Sequence, residues 1–435
     1  MVEYSSEKSG MDFINGFSHS GKPVKDLGRI RRLLGALGDP QEKLHFVHIA
    51  GTNGKGSVAE MFNRIFIAAG LKTGCFTSPF ILRYNDRIRI DGCDIPDSEL
   101  AQIAEKVRAA VEALPEKDAF SQFEITQAIA FLYFVKHACD IVVLETGLGG
   151  LLDCTNVIAS PLLTVITTID LDHTAILGET VAEIAAQKAG IIKRGVPCVL
   201  SANNPSDAVA VVSETARAKG SELVIPDASG VRIVSEDCLG SRFEYCGQSY
   251  TLSMGGRHQI TNALSVIEGC KLLAGRLGIS PQNIEYGIEK AVLPARVEVL
   301  CKSPLTILDG AHNPDGLGAL AKVLESCKRR CYAIIGMCRD KNIDSAVQKL
   351  IPFVEEFFTV DGFSDRALDR AELAGRINAL GGKAQVCVDS LGGQVAALQA
   401  AYPDDLILIC GSLYLAAQLK ADIIINITPA KPVVL

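Results

Sequence analysis

The heptapeptide Gly51-Thr52-Asn53-Gly54-Lys55-Gly56-Ser57 follows directly on the apolar run Phe46-Val47-His48-Ile49-Ala50. That order constrains the chain to a strand, a tight turn and a helix. Val58, Met61, Phe62, Ile65 and Ala69 recur on one helical face, and Gly70 is placed to end it. Such a turn offers backbone N–H groups and a helix N-terminus to an anionic phosphate, with Lys55 to neutralise charge. The spacing departs from the standard phosphate loop, in which Ser or Thr follows the lysine directly. Here Gly56 stands between Lys55 and Ser57. A plain glycine-rich strand-to-helix turn is the competing reading.

The 435 residues exceed one ordinary core, which predicts two domains. At 48% hydrophobic and 21% charged, the composition is that of a globular chain. The net charge of −7 argues against a nucleic-acid partner, so an anionic substrate must be attracted locally. No apolar run reaches the roughly 20 residues of a membrane helix. The first residues, MVEYSSEKSG, lack an apolar signal core. The 14 cysteines are scattered, some in apolar runs (Cys139, Cys198, Cys410), without a CxxC pair. They read as reduced thiols in a cytoplasmic protein rather than as disulfides or a zinc site.

Apolar strand-like runs at 44–50, 73–77, 140–145, 162–169 and 197–201 alternate with helical periodicity at 58–69, 98–113, 124–138, 180–192 and 206–219. Alternation of this kind predicts an α/β fold with a mostly parallel sheet covered by helices. Residues 231–253 read as a hairpin, and a helix follows from Asn262 to about Leu277. Strands at 305–309, 331–336, 355–360, 384–388 and 405–410 predict a second, smaller α/β domain. The linker is expected near 295–301, dividing the chain into 1–296 and 297–435.

In open α/β sheets ligands bind beyond the carboxyl ends of the strands. Ser78 and Pro79 follow one predicted strand, Glu145 ends another, and Asp170, Asp172 and His173 follow a third. Taken singly, Glu145 reads equally as a loop acid and His173 as a helix cap. Hydroxyl, carboxylate and imidazole thus gather on the edge that carries Lys55, and oxygen ligands suit Mg²⁺, which binds few protein groups plus substrate phosphates. Lys188 stands in the apolar stripe Val181, Ile184, Ala185, Ile192. Either it snorkels to the surface, or it is desolvated toward the site. In the second case its pKa falls, and the neutral amine can take up carbon dioxide as an anionic carbamate. In the second domain, Asp309-Gly310-Ala311-His312-Asn313-Pro314, Arg339-Asp340-Lys341 and Gly411-Ser412 also follow strands. They allow the two domains to face each other across a cleft, although Asp309 and His312 also fit turn chemistry.

Taken together, GTNGKGS (51–57), TSP (77–79), ETGLGGLLDCTN (145–156), LDH (171–173), KAGIIK (188–193), HQITN (258–262), PAR (294–296), DGAHNP (309–314) and Gly411-Ser412 resemble the folylpolyglutamate synthase/dihydrofolate synthase family of the Mur ligase superfamily. The resemblance runs in the family's order over nearly the whole chain. It implies a phosphate-loop ATPase-like domain plus a Rossmann-like C-terminal domain. It also implies an amide ligase that uses ATP to convert a folate carboxylate into an acyl phosphate, captured by the amine of glutamate.

By matching, Gly54, Lys55, Gly56 and Ser57 would hold ATP phosphates, and Asn262, Arg296 and Asp309 would contact the nucleotide. Ser78 and Glu145 would bind one Mg²⁺, with His173 and carbamylated Lys188 serving a second; a monovalent cation such as K⁺ is a further expectation. His312 and Ser412 fall where glutamate is handled. The pterin site would draw on Asp26, Leu27, Gly28, Phe80, Ser121, Phe123, Glu124, Leu151 and Asp153. The family implies small-molecule substrates only, no nucleic acid or membrane, and a monomer.

The chain departs from the family at Leu151 (often arginine), Phe80 (often histidine), Gln187 (often glutamate) and Ala295 (often glycine). The first two bear on substrate preference. Competing readings are a Mur-type ligase acting on another carboxylate, and a non-catalytic protein that uses the loop as a nucleotide switch.

Overall fold

The computed structural model describes residues 10–17, 26–81, 83–115, 119–237 and 239–421. The N-terminal reading made on residues 1–9 lies outside them. Internal contacts divide the chain into two compact units, Met1–Gly230 with Thr261–Lys290, and Val231–Ile260 with Ala291–Leu435.

Among the described residues the first unit carries an eight-stranded sheet. Its strands are β1 (Phe46–Ala50), β2 (Thr73–Phe76), β3 (Ile88–Ile90), β4 (Cys93–Asp94), β5 (Ile141–Glu145), β6 (Leu163–Ile166), β7 (Cys198–Leu200) and β8 (Leu223–Val224). The spatial order is β4-β3-β2-β5-β1-β6-β7-β8. All pairs are parallel except β2–β3 and β3–β4. The antiparallel pair is absent from the sequence reading because strands this short show no apolar run. β1 and β5 are buried along their whole length, as strands covered on both faces must be. β1 lies where the chain reverses direction across the sheet, with β5 on one side and β6 on the other. That is the position at which doubly wound sheets bind ligands.

The second unit holds two sheets. β9 (Arg232–Asp237), β10 (Gly240–Tyr245) and β11 (Gln248–Leu252) form a three-stranded antiparallel sheet rather than the expected hairpin. β9 is mostly exposed, so its composition carries little strand signal. The other sheet contains β12 (Glu298–Lys302), β13 (Leu305–Leu308), β14 (Cys331–Ile335), β15 (Glu356–Thr359), β16 (Ala384–Val386) and β17 (Leu406–Cys410), in the order β12-β13-β17-β14-β15-β16. Only β12 runs antiparallel. It occupies most of the stretch expected to be linker. The helix expected from Asn262 begins earlier, at Arg257.

No helix among the described residues is long and apolar enough to cross a membrane. Cys139, Cys198 and Cys410 are buried and free.

Candidate active site

Gly54 caps the helix Lys55–Ala68 with φ of 88°, a left-handed turn that favours glycine. A Cβ on it would stand 2.5 Å from Oδ1 of Asn262, so the loop and the buried Asn262 pack directly together. The loop is also tied to the end of β6. Thr52 N–H donates to the Thr168 carbonyl at 2.7 Å, and Thr167 Oγ1 donates to the Asn53 carbonyl at 2.7 Å. Thr52 Oγ1 donates to the Asp170 carbonyl at 3.1 Å. Lys55 folds back over the loop, its Nζ donating to the carbonyls of Gly51 at 3.0 Å and Thr52 at 3.2 Å. The lysine therefore sits over the glycine-rich turn. Gly56 and Ser57 open the helix, with Ser57 buried.

Sheet register places Glu145 and the ends of β2 and β6 on the same edge as the loop. Ile49 pairs with Glu145, Ala50 with Ile166, and Phe76 with Leu144. Ser78 N–H then donates to Oε2 of the buried Glu145 at 3.1 Å. His173, exposed, is left-handed at φ 51°, and its Nε2 lies 3.8 Å from Oδ2 of Asp172. Lys188 is 3% exposed, which excludes snorkelling. Burial pushes its pKa down to about 7; Lys55 pushes the same way, and Asp172 and Asp153 oppose. A buried lysine that is substantially neutral near pH 7 sits in electrostatic reach of the phosphate-loop lysine.

No group of three or more His, Cys, Asp or Glu side chains among the described residues could by itself hold a metal ion. The donors present on this edge are instead a hydroxyl, a carboxylate, an imidazole and a lysine. The hydroxyl and the carboxylate supply oxygen, which fits a hard divalent cation that takes most of its ligands from phosphate and water.

The segments expected at the pterin end are organised by contacts invisible in sequence. Arg29 forms a two-pronged pair with Glu124, Nε to Oε1 at 2.9 Å and Nη2 to Oε2 at 2.6 Å. Glu124 also receives the Ser121 N–H and hydroxyl, both at 2.9 Å, as a helix capping box. Its carboxylate is thus committed to bracing Ser121 and the Arg29 helix. Asp26 Oδ1 accepts from the N–H of Gly28, the first residue of the same helix, at 2.7 Å, with Leu27 between them. Phe123 packs on Phe76, and Phe80 lies under the Arg87 guanidinium at 5.1 Å.

Asp153 is likewise committed. Leu148 N–H donates to its Oδ2 at 2.7 Å, and Thr155 donates to Oδ1 through N–H at 3.0 Å and hydroxyl at 2.5 Å. Because Thr155 donates its hydroxyl proton there, it accepts from Nε2 of buried His48 at 2.9 Å. Burial, with Lys193 assisting, pulls the His48 pKa down to about 3. Leu151 is 45% exposed, its N–H held by the Gln187 carbonyl at 2.7 Å. Arg29, His48 and Thr155 were not singled out from sequence. Arg29 stands directly after Gly28, and its partner is remote in the chain.

In the second unit Asp309 directly follows β13. Its Oδ2 accepts from Val297 N–H at 2.8 Å and its Oδ1 from Ala311 N–H at 2.7 Å. Burial raises its pKa, against Arg296 and those two amides. A Cβ on Gly310 would meet Arg296 Nη1 at 3.1 Å, so arginine and aspartate share one corner. His312 Nδ1 lies 2.9 Å from the Gly310 carbonyl. Ser412, buried, follows β17 and accepts from Tyr414 N–H at 3.1 Å; register aligns Leu308 with Ile409, bringing the ends of β13 and β17 together.

The Mur ligase middle domain family matches residues 49–269, and the Mur ligase glutamate ligase domain family matches 295–413. The chain is 36% identical over 429 residues to folylpolyglutamate synthase of Lacticaseibacillus casei, covering 95% of this chain and 97% of that protein. It is 31% identical to dihydrofolate synthetase of Saccharomyces cerevisiae, covering 90% and 96%. Escherichia coli FolC in complex with DHPP and ADP superposes with a TM-score of 0.85 at 27% identity, covering 97% and 98%. Folylpolyglutamate synthase of Mycobacterium tuberculosis complexed with ADP gives 0.87 at 28% identity, covering 96% and 98%. With both Mur ligase domains matched in order and these relatives aligned end to end, the chain belongs to the folylpolyglutamate synthase/dihydrofolate synthase family of Mur ligases.

Proposed function

We propose that this protein is a folylpolyglutamate synthase, an ATP-dependent ligase that joins L-glutamate to the γ-carboxylate of a reduced folate. The observation that carries the reading is the register that sets Lys55, Ser78 and Glu145 on one carboxyl edge of the sheet, with the Gly54 turn packed on Asn262. A carboxylate is a poor electrophile, and its attack on a phosphate sets anion against anion. The loop N–H groups and Lys55 hold and neutralise the ATP phosphates. The folate carboxylate oxygen attacks the γ-phosphorus, ADP leaves, and an acyl phosphate forms. The glutamate amine then attacks the acyl carbon and phosphate leaves. Positioning and preorganised charge supply most of the acceleration in such transfers.

Ser78, Glu145, His173 and carbamylated Lys188 would hold two Mg²⁺ ions, which supply charge neutralisation at the transferring phosphoryl group. Arg296 and Asp309 serve the nucleotide, and His312 and Ser412 the incoming glutamate. The ATP-binding domain spans residues 1–296 and the glutamate-ligase domain residues 297–435. Asp26 to Gly28, Phe80, Ser121 to Glu124 and Leu151 to Asp153 shape the pterin end. Within that set Glu124 and Asp153 act by holding main chain in place. The protein acts as a cytoplasmic monomer on small molecules.

A second reading, condensation of dihydropteroate with glutamate, is supported by relatives carrying both names, such as the dihydrofolate synthase/folylpolyglutamate synthase of Bacillus subtilis, 37% identical over 338 residues. Purified protein with ATP, Mg²⁺, K⁺ and L-glutamate, offered tetrahydrofolate or dihydropteroate, tests both. A product heavier by one glutamyl residue is expected. Turnover only with a UDP-muramoyl peptide would indicate a different Mur ligase. Nucleotide binding without amide formation would indicate a switch.

A further inference from the structure

Arg296 is presented by a main-chain path that favours glycine yet is built without it. Ala295 has φ of 53° and Val297 φ of 50°. Both lie in the left-handed region that a Cβ disfavours, and a β-branched residue there is a marked outlier. Strained residues of this kind persist only where their surroundings over-determine them.

Three hydrogen bonds do so here. Val297 N–H donates to Asp309 Oδ2 at 2.8 Å, and Gly310 N–H donates to the Ala295 carbonyl at 2.8 Å. The third, Ala295 N–H to Glu298 Oε2 at 2.9 Å, comes from a residue with no role assigned so far. The other oxygen of Glu298 accepts from Lys420 Nζ at 2.5 Å. Lys420 lies in the last turn of the helix Leu413–Ala421, which begins directly after Ser412. Glu298 therefore links the strained turn to a helix already anchored at the end of β17. Charge-assisted bonds on both oxygens make it a firm bracket. Released, Ala295 would relax to negative φ, and the Cα–Cβ direction of the next residue, Arg296, would swing with it.

We propose that Glu298 is a positioning residue: backed by Lys420, it holds Ala295 left-handed and so aims Arg296 at the nucleotide. The inference rests on the assignment of Arg296 to the nucleotide. It also explains how alanine serves at a left-handed position, since the bracket enforces what glycine adopts freely.

The test compares Glu298→Ala, Glu298→Gln, the double variant Glu298→Ala/Ala295→Gly, and Arg296→Ala. Steady-state kinetics for each substrate and ADP binding by calorimetry are the readouts. Glu298→Ala should raise KM for ATP about tenfold, the loss of one good polar bond. KM for glutamate and folate should stay within about twofold on the same scale. Glu298→Gln keeps an acceptor for Ala295 N–H and should fall between. Ala295→Gly in the Glu298→Ala background should restore most of the ATP affinity, because glycine adopts positive φ without the steric cost that alanine meets. A merely structural role would lower all three affinities together and would not be rescued by glycine, and that result overturns the proposal. If Arg296→Ala leaves KM for ATP unchanged, the nucleotide assignment of Arg296 is at fault instead. If Glu298→Ala does not fold, Lys420→Met takes its place. A smaller rise in KM for ATP cancelled by Ala295→Gly supports the bracket, and a rise not cancelled refutes it.

Discussion

The main-chain N–H of Ser78 donates to Oε2 of Glu145 at 3.1 Å, joining the segment after β2 to the end of β5 beside the phosphate loop. Both proposed ligands of one Mg²⁺ are thus held by a single contact. Glu145→Gln keeps an acceptor for that N–H and removes the charge. Turnover should fall by a factor of about 10² or more, the scale of losing one preorganised electrostatic group, while ADP affinity changes little. Equal losses in both would mean uniform binding and would rule out the assigned role.

Burial, with the charge of Lys55 assisting, pushes the Lys188 pKa down to about 7, which leaves much of its amine in the neutral form that reacts with carbon dioxide. ¹³C NMR of protein equilibrated with ¹³C-bicarbonate should show a carbamate that is missing from Lys188→Ala. That variant should lose most activity, and bicarbonate should not restore it. An unlabelled wild-type protein with full activity after exhaustive removal of carbon dioxide would refute the modification.

His48 remains neutral in the fold, with a pKa near 3 against an ordinary value of 6.5. The unfolded chain binds the extra proton between those values, so this stabilisation is complete above pH 6.5 and is lost as the pH falls toward 3. The full span amounts to about 5 kcal/mol at 1.36 kcal/mol per unit. His48→Asn should lower stability at neutral pH and flatten the acid limb of a denaturant-midpoint curve. A parallel curve, merely displaced, would show that His48 does not titrate with unfolding.

Gly54→Ala would set a Cβ 2.5 Å from Asn262 Oδ1 at a φ of 88°. A left-handed residue costs about 1–2 kcal/mol before the clash is counted. We expect a lower melting temperature and nucleotide binding weakened by at least about tenfold. Asn262→Ala should relieve the clash but not the φ penalty, restoring part of the stability. A Gly54→Ala protein with native ADP affinity would sever the loop from phosphate binding.

Leu151 is exposed, so Leu151→Arg adds a cation without burying it. The wild type should favour reduced folate over dihydropteroate, and Leu151→Arg should narrow the ratio of the two kcat/KM values, the quantity that measures discrimination. A wild type equally good with dihydropteroate would make the enzyme bifunctional.

The phosphate turn was legible from sequence because it is local: strand, glycines, lysine and helix occupy consecutive residues, and each type has a fixed backbone consequence. So were the alternation that makes two mostly parallel sheets and the misplaced lysine at 188, whose burial the structure decides. Strand ends identified the polar groups, since parallel register aligns such ends by construction. The rest depends on neighbours that no local pattern encodes. Arg29 meets Glu124 across 95 positions, His48 reaches Thr155 across 107, and Lys420 meets Glu298 across 122. Periodicity marks a residue as inward or outward, but it does not say which polar group on another element will take its hydrogen bond. Sequence likewise does not show that Glu124 takes the Arg29 guanidinium and the Ser121 N–H, or that Asp153 takes the Leu148 N–H and the Thr155 hydroxyl. Residue type and spacing determined the chemistry available to this protein. Packing decided which groups are left to perform it, because a buried polar atom takes the nearest partner the fold provides.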